Sequence, residues 1–519
     1  MKFGKKEKEA ESTSPVQTRE NFPQVTSKGQ DYKEEVREHY PVSEQEQQLL
    51  KHAFEDSGTL FQLLSTLRTR RVGLGYQIET GEQESFEWSS GHAIAQKEGP
   101  LSFASHSEPV SLTELEEALL CWAALGPNGV ILADIAVNGG LSGLLSWAGR
   151  TVPSSSNDLS VDLFVINDSG VSIYKPSTER LSLVEIRDAQ DYGKIIKWYR
   201  ESLIKISDKR PDVSWPSSPE GTKIVNATGP GQYNLNRPGS TWLLPVGDVG
   251  LEWFNQLLTS YEWSGFYLMD PDTNEPAGCQ DWIRPGFLEV GFPIPAFDEL
   301  ALMLHAGQAG AIVQNIRLAS EALGLGAWMT GSYADDLVLG AYPEVAKGLG
   351  FNFISREGTL NPSTTTTCIG LEGVKEAVAV PTPRFKDAEA AVRYVADLRN
   401  NSATPFSATG PWKNGLQGPY EAETMESIKQ NPRSYVADWA VEAAIATVDY
   451  IVKKYGCAPA YISPMRAKLS VQVHHVDPNF YRRYQGISGE PYALTGSILN
   501  HFPLWHPGHN DPAQNSNNQ

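Results

Sequence analysis

The 519-residue chain carries 43 Lys and Arg against 62 Asp and Glu, a net charge of −19, and 40% of its residues are hydrophobic. That acidic excess opposes a nucleic-acid partner, because phosphate binding needs a basic face that releases counterions. No apolar run is long enough to span a bilayer, and 45 Gly with 34 Pro is near ordinary usage, so membrane, collagen-like and wholly disordered classes are excluded. Cys121, Cys279, Cys368 and Cys457 lie far apart without a C-x-x-C pair, which points to a reducing, cytoplasmic setting.

In chain order, residues 1–45 read as a polar tail. Leu49, Leu50, Phe54, Leu60, Leu64 and Leu67 recur at helical spacing and predict one helix over 45–67, ending in Arg68, Thr69, Arg70 and Arg71. Ser111 and Glu114 have the spacing of a capping box, predicting a helix from Ser111 that Gly126-Pro127 stops. Val161–Ile166, a turn at Asn167–Gly170 and Val171–Tyr174 read as a hairpin. The Pro-, Gly- and Trp-containing stretch 181–295 has no clean period and reads as an insertion or lid. Ile312, Ile316, Ala319 and Leu323 form one face of a buried helix over 298–324, and further helices are expected at 387–399 and 434–455. Residues 401–509 read as a C-terminal extension and 510–519 as a second polar tail.

Three stretches could carry chemistry. The Arg68–Arg71 cluster is either a solvated helix end suited to the helix dipole or a phosphate clamp. The loop Arg150–Asn157 is either an ordinary polar turn or a set of short donors for the edge of a flat heterocycle. The run Gly307–Tyr333 is a buried helix with a glycine cap, whose following glycines also allow backbone to approach a ligand.

Taken in order, Arg68-Thr69-Arg70-Arg71, LLCWAALG at 119–126, RTVPSSSN at 150–157, DLFVINDSGVSIYKP at 162–176 and AGQAGAIVQNIRLASEALGLG at 306–326 resemble the nitroreductase-like FMN oxidoreductases. The nearest likeness is to the long subgroup that includes azoline dehydrogenases. The resemblance implies an α+β fold, a central mixed or antiparallel sheet flanked by helices, with its core split between 46–180 and 296–400. It also implies a homodimer holding FMN and a small-molecule or peptide substrate, with NAD(P)H as a possible electron donor.

The family's R-S-x-R phosphate motif falls on Arg68, Thr69 and Arg71, with Leu67 where a further arginine often stands. Its ring-bordering loop falls on Pro153, Ser154, Ser155 and Asn157. The glycine beside flavin N5 falls at Thr330 and Gly331, within Met-Thr-Gly in place of Pro-Glu-Gly, and Arg384 is a candidate second phosphate ligand. Hydride transfer by ping-pong chemistry is the implied activity. Azoline oxidation, which uses a Lys-Tyr pair in that subgroup, and non-catalytic flavin binding stand as alternatives. The only such pair, Lys454-Tyr455, falls in a predicted helix.

Gln472, His474, His475, Asp477, Tyr481, His501, His506 and His509 form a separate C-terminal group. Adjacent His474 and His475 point to opposite sides of a strand, and HHVD lacks a helical ligand spacing. The expectation is therefore a lid or subunit contact and no metal site.

Overall fold

A computed structural model of the chain describes residues 40–78, 87–88, 91–92, 102–131, 145–146, 148–176, 185–211, 213, 234–331, 333–344, 347–355, 366–399, 422–430, 435–483 and 493–514. The hairpin expected from the Asn-Asp-Ser-Gly turn is present as β1 (Val161–Asn167) and β2 (Gly170–Tyr174), paired antiparallel from Leu163↔Tyr174 to Asn167↔Gly170. Around it build β3 (Leu203–Ser207), β4 (Ser240–Asp248), β5 (Gly326–Thr330), the short β6 (Met465–Arg466) and β7 (Ser470–His474). The strand order is β5-β7-β4-β1-β2-β3, with β6 also paired to β4, and every pairing is antiparallel.

With helices packed against this sheet the chain is α+β, as expected. The domain division expected from sequence is corrected. The stretch 181–295 contributes β4, whose nine residues are all buried between β1 and β7, so it is part of the core and not an appended lid. Residues 401–509 likewise contribute β6 and β7 to the same sheet. A strand buried on both faces has no alternating polar pattern, which is why STWLLPVGD does not announce itself.

Among the helices are α1 (Glu44–Lys51), α2 (Leu60–Thr66), α3 (Glu114–Leu125), α4 (Lys194–Ser202), α5 (Val249–Thr259), α6 (Ile294–Leu323), α7 (Ala388–Asp397), α8 (Asp438–Tyr455) and α9 (Gly496–Trp505). The single helix expected over 45–67 is broken at Gly58, where φ is +101°, and a second start follows with Thr59 capping α2. The capping box is Thr113 with Glu116, not Ser111 with Glu114. Ser111 instead donates to Asp168, and Glu114 pairs with Arg200 at 2.6 Å. Gly126 ends α3, and Gly324, with φ +82°, ends α6 as expected.

Apolar clusters lie against these layers. Phe164, Ile166, Ile173, Trp242, Leu244, Val246 and Met465 pack on the sheet, while Trp253, Phe254, Phe297, Val392, Val448 and Ile451 join α5, α6, α7 and α8. Burying a large side chain contributes roughly 1.5–3 kcal/mol, and Ile294, Phe297 and Ala301 bring the 30-residue α6 into the second of these clusters. Among the described residues no helix is long and apolar enough to cross a membrane.

Candidate functional sites

The loop between Arg150 and β1 has an unusual backbone. Ser156 and Asn157 both have φ of 47° and Leu159 has φ of 53°, in the left-handed region that side chains disfavour. Such residues cost on the order of 1–3 kcal/mol each and persist only where surroundings hold them. Here Asn157 Nδ2 donates to the carbonyls of Ser146 at 2.7 Å and Ala148 at 2.8 Å. Ser154 donates to Asp158 and accepts from Leu159 N at 3.1 Å. From α5, Gln256 Nε2 donates to Ser155 Oγ at 3.0 Å, Ser156 Oγ at 3.3 Å and Glu252 Oε1 at 2.8 Å.

Glu252 is buried, and that burial, together with its hydrogen bond to and repulsion from Asp158, pushes its carboxyl far above the usual carboxylate range. Two buried carboxyls side by side share a proton more readily than they carry two charges. Glu252 and Gln256 were missed in the sequence because they fall in the stretch taken as an insertion. Their i, i+4 spacing on an amphipathic helix was the available signal.

The remaining residues expected to bind flavin divide into two places. Arg68 and Thr69 are exposed, and Arg68 Nη1 donates to the Leu67 carbonyl at 2.9 Å. Arg71 lies over the Trp328 ring at 3.8 Å. Arg70 N donates to Ala327 O at 3.2 Å, so the basic segment is tied to β5, whose far end is Thr330 followed by the exposed Gly331. Three residue steps along the strand separate Ala327 from Thr330, about 10 Å.

The 150–157 loop reaches the same neighbourhood through α6. Asn315 Nδ2 donates to Thr151 O at 3.0 Å, and six residues further, a rise of about 9 Å, Glu321 accepts from Arg70 at 2.6 Å. Pro153 is exposed on that loop. Arg384 is engaged elsewhere, 3.8 Å from Glu376 and over the Phe385 and Tyr394 rings.

A second constellation joins the start of α3 to the C-terminal segment. Glu116 occupies the third position of α3, where its Oε2 accepts from Thr113 N at 2.6 Å and Thr113 Oγ1 at 2.9 Å. Its Oε1 faces three imidazoles, with Nε2 of His501 at 2.8 Å, of His506 at 3.2 Å and of His475 at 3.3 Å. His475 follows β7 directly, His501 lies in α9 and His506 caps it. All four are buried, Glu116 fully. Burial works against the Glu116 charge, but the histidines, chiefly His475, hold the carboxyl well below its ordinary value.

His474 does point away from this group, as alternation along a strand requires. Its ring lies 2.6 Å from where a Cβ on Gly73 would stand. Where no metal site was expected, the tertiary structure gathers four ligand-type side chains whose donor atoms all lie within 4.8 Å of one another. Sequence spacing could not show it, because Glu116 and His506 are 390 positions apart.

No protein-family model matches the chain, and no curated protein matches it. Among solved structures, a provisionally named nitroreductase from Ralstonia eutropha aligns over 54% of this chain and 73% of its own, at 14% identity and a TM-score of 0.24. That superposition is too loose to assign a fold or an activity.

Proposed function

We propose that this protein is an FMN-dependent oxidoreductase that exchanges hydride between flavin N5 and a small organic substrate by ping-pong chemistry, as a homodimer with NAD(P)H as electron donor. The observation that carries the reading is the left-handed loop Ser154–Leu159, braced by Gln256 and by Glu252 in its neutral form. Backbone strain and a perturbed carboxyl in one loop are features that cluster at functional sites. They occur in the segment whose sequence resembles a flavin-bordering loop.

The donor chemistry fits FMN. Ser156 Oγ accepts from Gln256 and donates to no described partner, so its O–H can serve a ring acceptor. Arg68 and Thr69 present an exposed guanidinium and hydroxyl beside Arg71, a set suited to a phosphate dianion. In this reading Arg68, Thr69 and Arg71 hold the phosphate. Pro153, Ser154, Ser155 and Asn157 border the ring, Thr330 and Gly331 lie toward its reactive edge, and Arg384 stands outside the set on the side of α7. Bound FMN supplies the hydride chemistry, and the chain has to position it, offer donors to its electron-rich edge and exclude water.

Azoline oxidation is the less favoured reading. Lys454 Nζ is paired with Asp270 at 2.5 Å and Asp272 at 3.1 Å, which raises its pKa, and Tyr455 is buried. A lysine held as a cation is a poor base.

The purified chain should be yellow, absorbing near ~450 nm, and release its colour on denaturation. Anaerobic NADH or NADPH should bleach it, with colour returning on addition of an acceptor. Bleaching with neither donor would leave a flavin-binding protein without this activity. Failure to retain added FMN would overturn the proposal altogether.

A further inference from the structure

We propose that Glu116, His475, His501 and His506 form a closed, structural site for one divalent transition-metal ion, with zinc the ion that fits best. The hydrogen bonds behind the rings set the donor atoms. Nδ1 of His475 lies 2.8 Å from the Val110 carbonyl and Nδ1 of His501 lies 2.7 Å from the Leu323 carbonyl. A carbonyl only accepts, so each Nδ1 carries a hydrogen, and in the neutral ring each Nε2 then keeps its lone pair. Carbonyl anchoring of the outer ring nitrogen is also how metal-ligating imidazoles are oriented.

These lone pairs converge. His475 Nε2 is 2.9 Å from His506 Nε2, and both are within 3.3 Å of the Glu116 oxygen. Three imidazole nitrogens and a carboxylate oxygen turned toward one point need shared protons or a cation among them, and a metal ion satisfies all four at once.

The spacing suits such a cation. A tetrahedral ion with ligands at about 2.0–2.1 Å has donor–donor edges of about 3.3–3.4 Å. Four of the six donor–donor edges run from 2.8 to 3.3 Å and all lie within 4.8 Å, so small movements of the rings complete the shell. Imidazole with one carboxylate is borderline donor chemistry, suited to zinc and neighbouring first-row ions rather than to calcium or magnesium, which take oxygen.

Four protein ligands leave no open position. The burial of all four, none more than 6% exposed, likewise argues for a structural ion and not a hydrolytic one. It would fasten α9 and the end of β7 to the first turn of α3.

The test uses the intact chain and measures metal directly. After dialysis against metal-free buffer, elemental analysis should find about one zinc per chain, and chelator-stripped protein should regain one on exposure to zinc but not to magnesium. Cobalt loading should give the visible absorption of a tetrahedral site. His506→Ala and Glu116→Gln should each lower bound zinc at least tenfold, while His52→Ala, at a half-exposed position outside the cluster, should not. Should these variants fail to fold, the stripped wild-type chain decides: added zinc should raise its unfolding temperature and magnesium should not. Folded wild-type protein holding less than a tenth of an equivalent after exposure to excess zinc would overturn the proposal and leave a proton-sharing cluster. So would full zinc retention by both cluster variants. None of these readings depends on flavin.

Discussion

Arg70 donates to Glu321 at 2.6 Å, and both side chains are almost completely buried. Of the three arginines in the basic cluster, the one in the variable position of the phosphate motif is therefore committed to structure, joining the segment to α6, while Arg68 and Arg71 flank it. Arg70→Ala should strand a buried carboxylate and destabilise the protein by about 3–5 kcal/mol. Arg71→Ala should leave the unfolding temperature close to wild type yet weaken FMN retention by roughly 30-fold or more, on ~1.4 kcal/mol per decade. Riboflavin affinity, lacking the phosphate, should hardly change. Denaturant unfolding beside flavin titration of both variants checks the pair, and equal FMN binding by wild type and Arg71→Ala would refute the assigned register.

The face of α2 that precedes this cluster bears on assembly. Phe61 is 83% exposed, with Leu60 and Leu64 also exposed, three apolar side chains on one short helix. A homodimer that covers them adjoins the proposed phosphate ligands. Sedimentation should give about twice the 57.0 kDa chain mass, and Phe61→Glu should shift it toward the single chain and weaken FMN retention together. A Phe61→Glu protein that remains dimeric would remove α2 from the interface.

His305 on α6 supplies a pH dependence. Its burial, with Lys375 and Arg466 nearby, lowers its pKa from 6.5 to about 3, so the folded protein holds it neutral. The unfolded chain takes up a proton below pH 6.5 that the folded one refuses until about pH 3. This contribution to stability is therefore complete above 6.5 and lost as pH falls through that window. His305→Gln should flatten the fall in unfolding free energy between pH 6.5 and 4, measured by urea denaturation.

The same ring explains a glycine. A Cβ on Gly247 of β4 would lie 1.6 Å from His305 Cε1, a contact no rotamer shift of a buried ring relieves easily. Gly247→Ala should cost on the order of 1–3 kcal/mol from overpacking. Gly307→Ala, where a Cβ meets nothing within 4 Å, should not. Comparable thermal shifts in the two variants would contradict this packing.

Elements whose cause is local were legible in the sequence. The β1–β2 hairpin follows from its turn residues, the ends of α3 and α6 from Gly126 and Gly324, and the acidic surface from simple counting. Local rules placed the cap at Ser111, and only contacts corrected it: Ser111 bonds to Asp168 across the fold and Thr113 takes the role. What tertiary structure alone decided is whatever depends on distant pairings. β4 reads as formless because both of its faces are buried, and it became the centre of the sheet only when β1 and β7 closed on it. Glu116 and His475, each unremarkable in its own segment, face one another because the end of the strand after Ser470 meets the start of the helix after Thr113. Periodicity records which face of an element is apolar, but it carries no information about which elements meet, and a site assembled from three of them is written in that meeting.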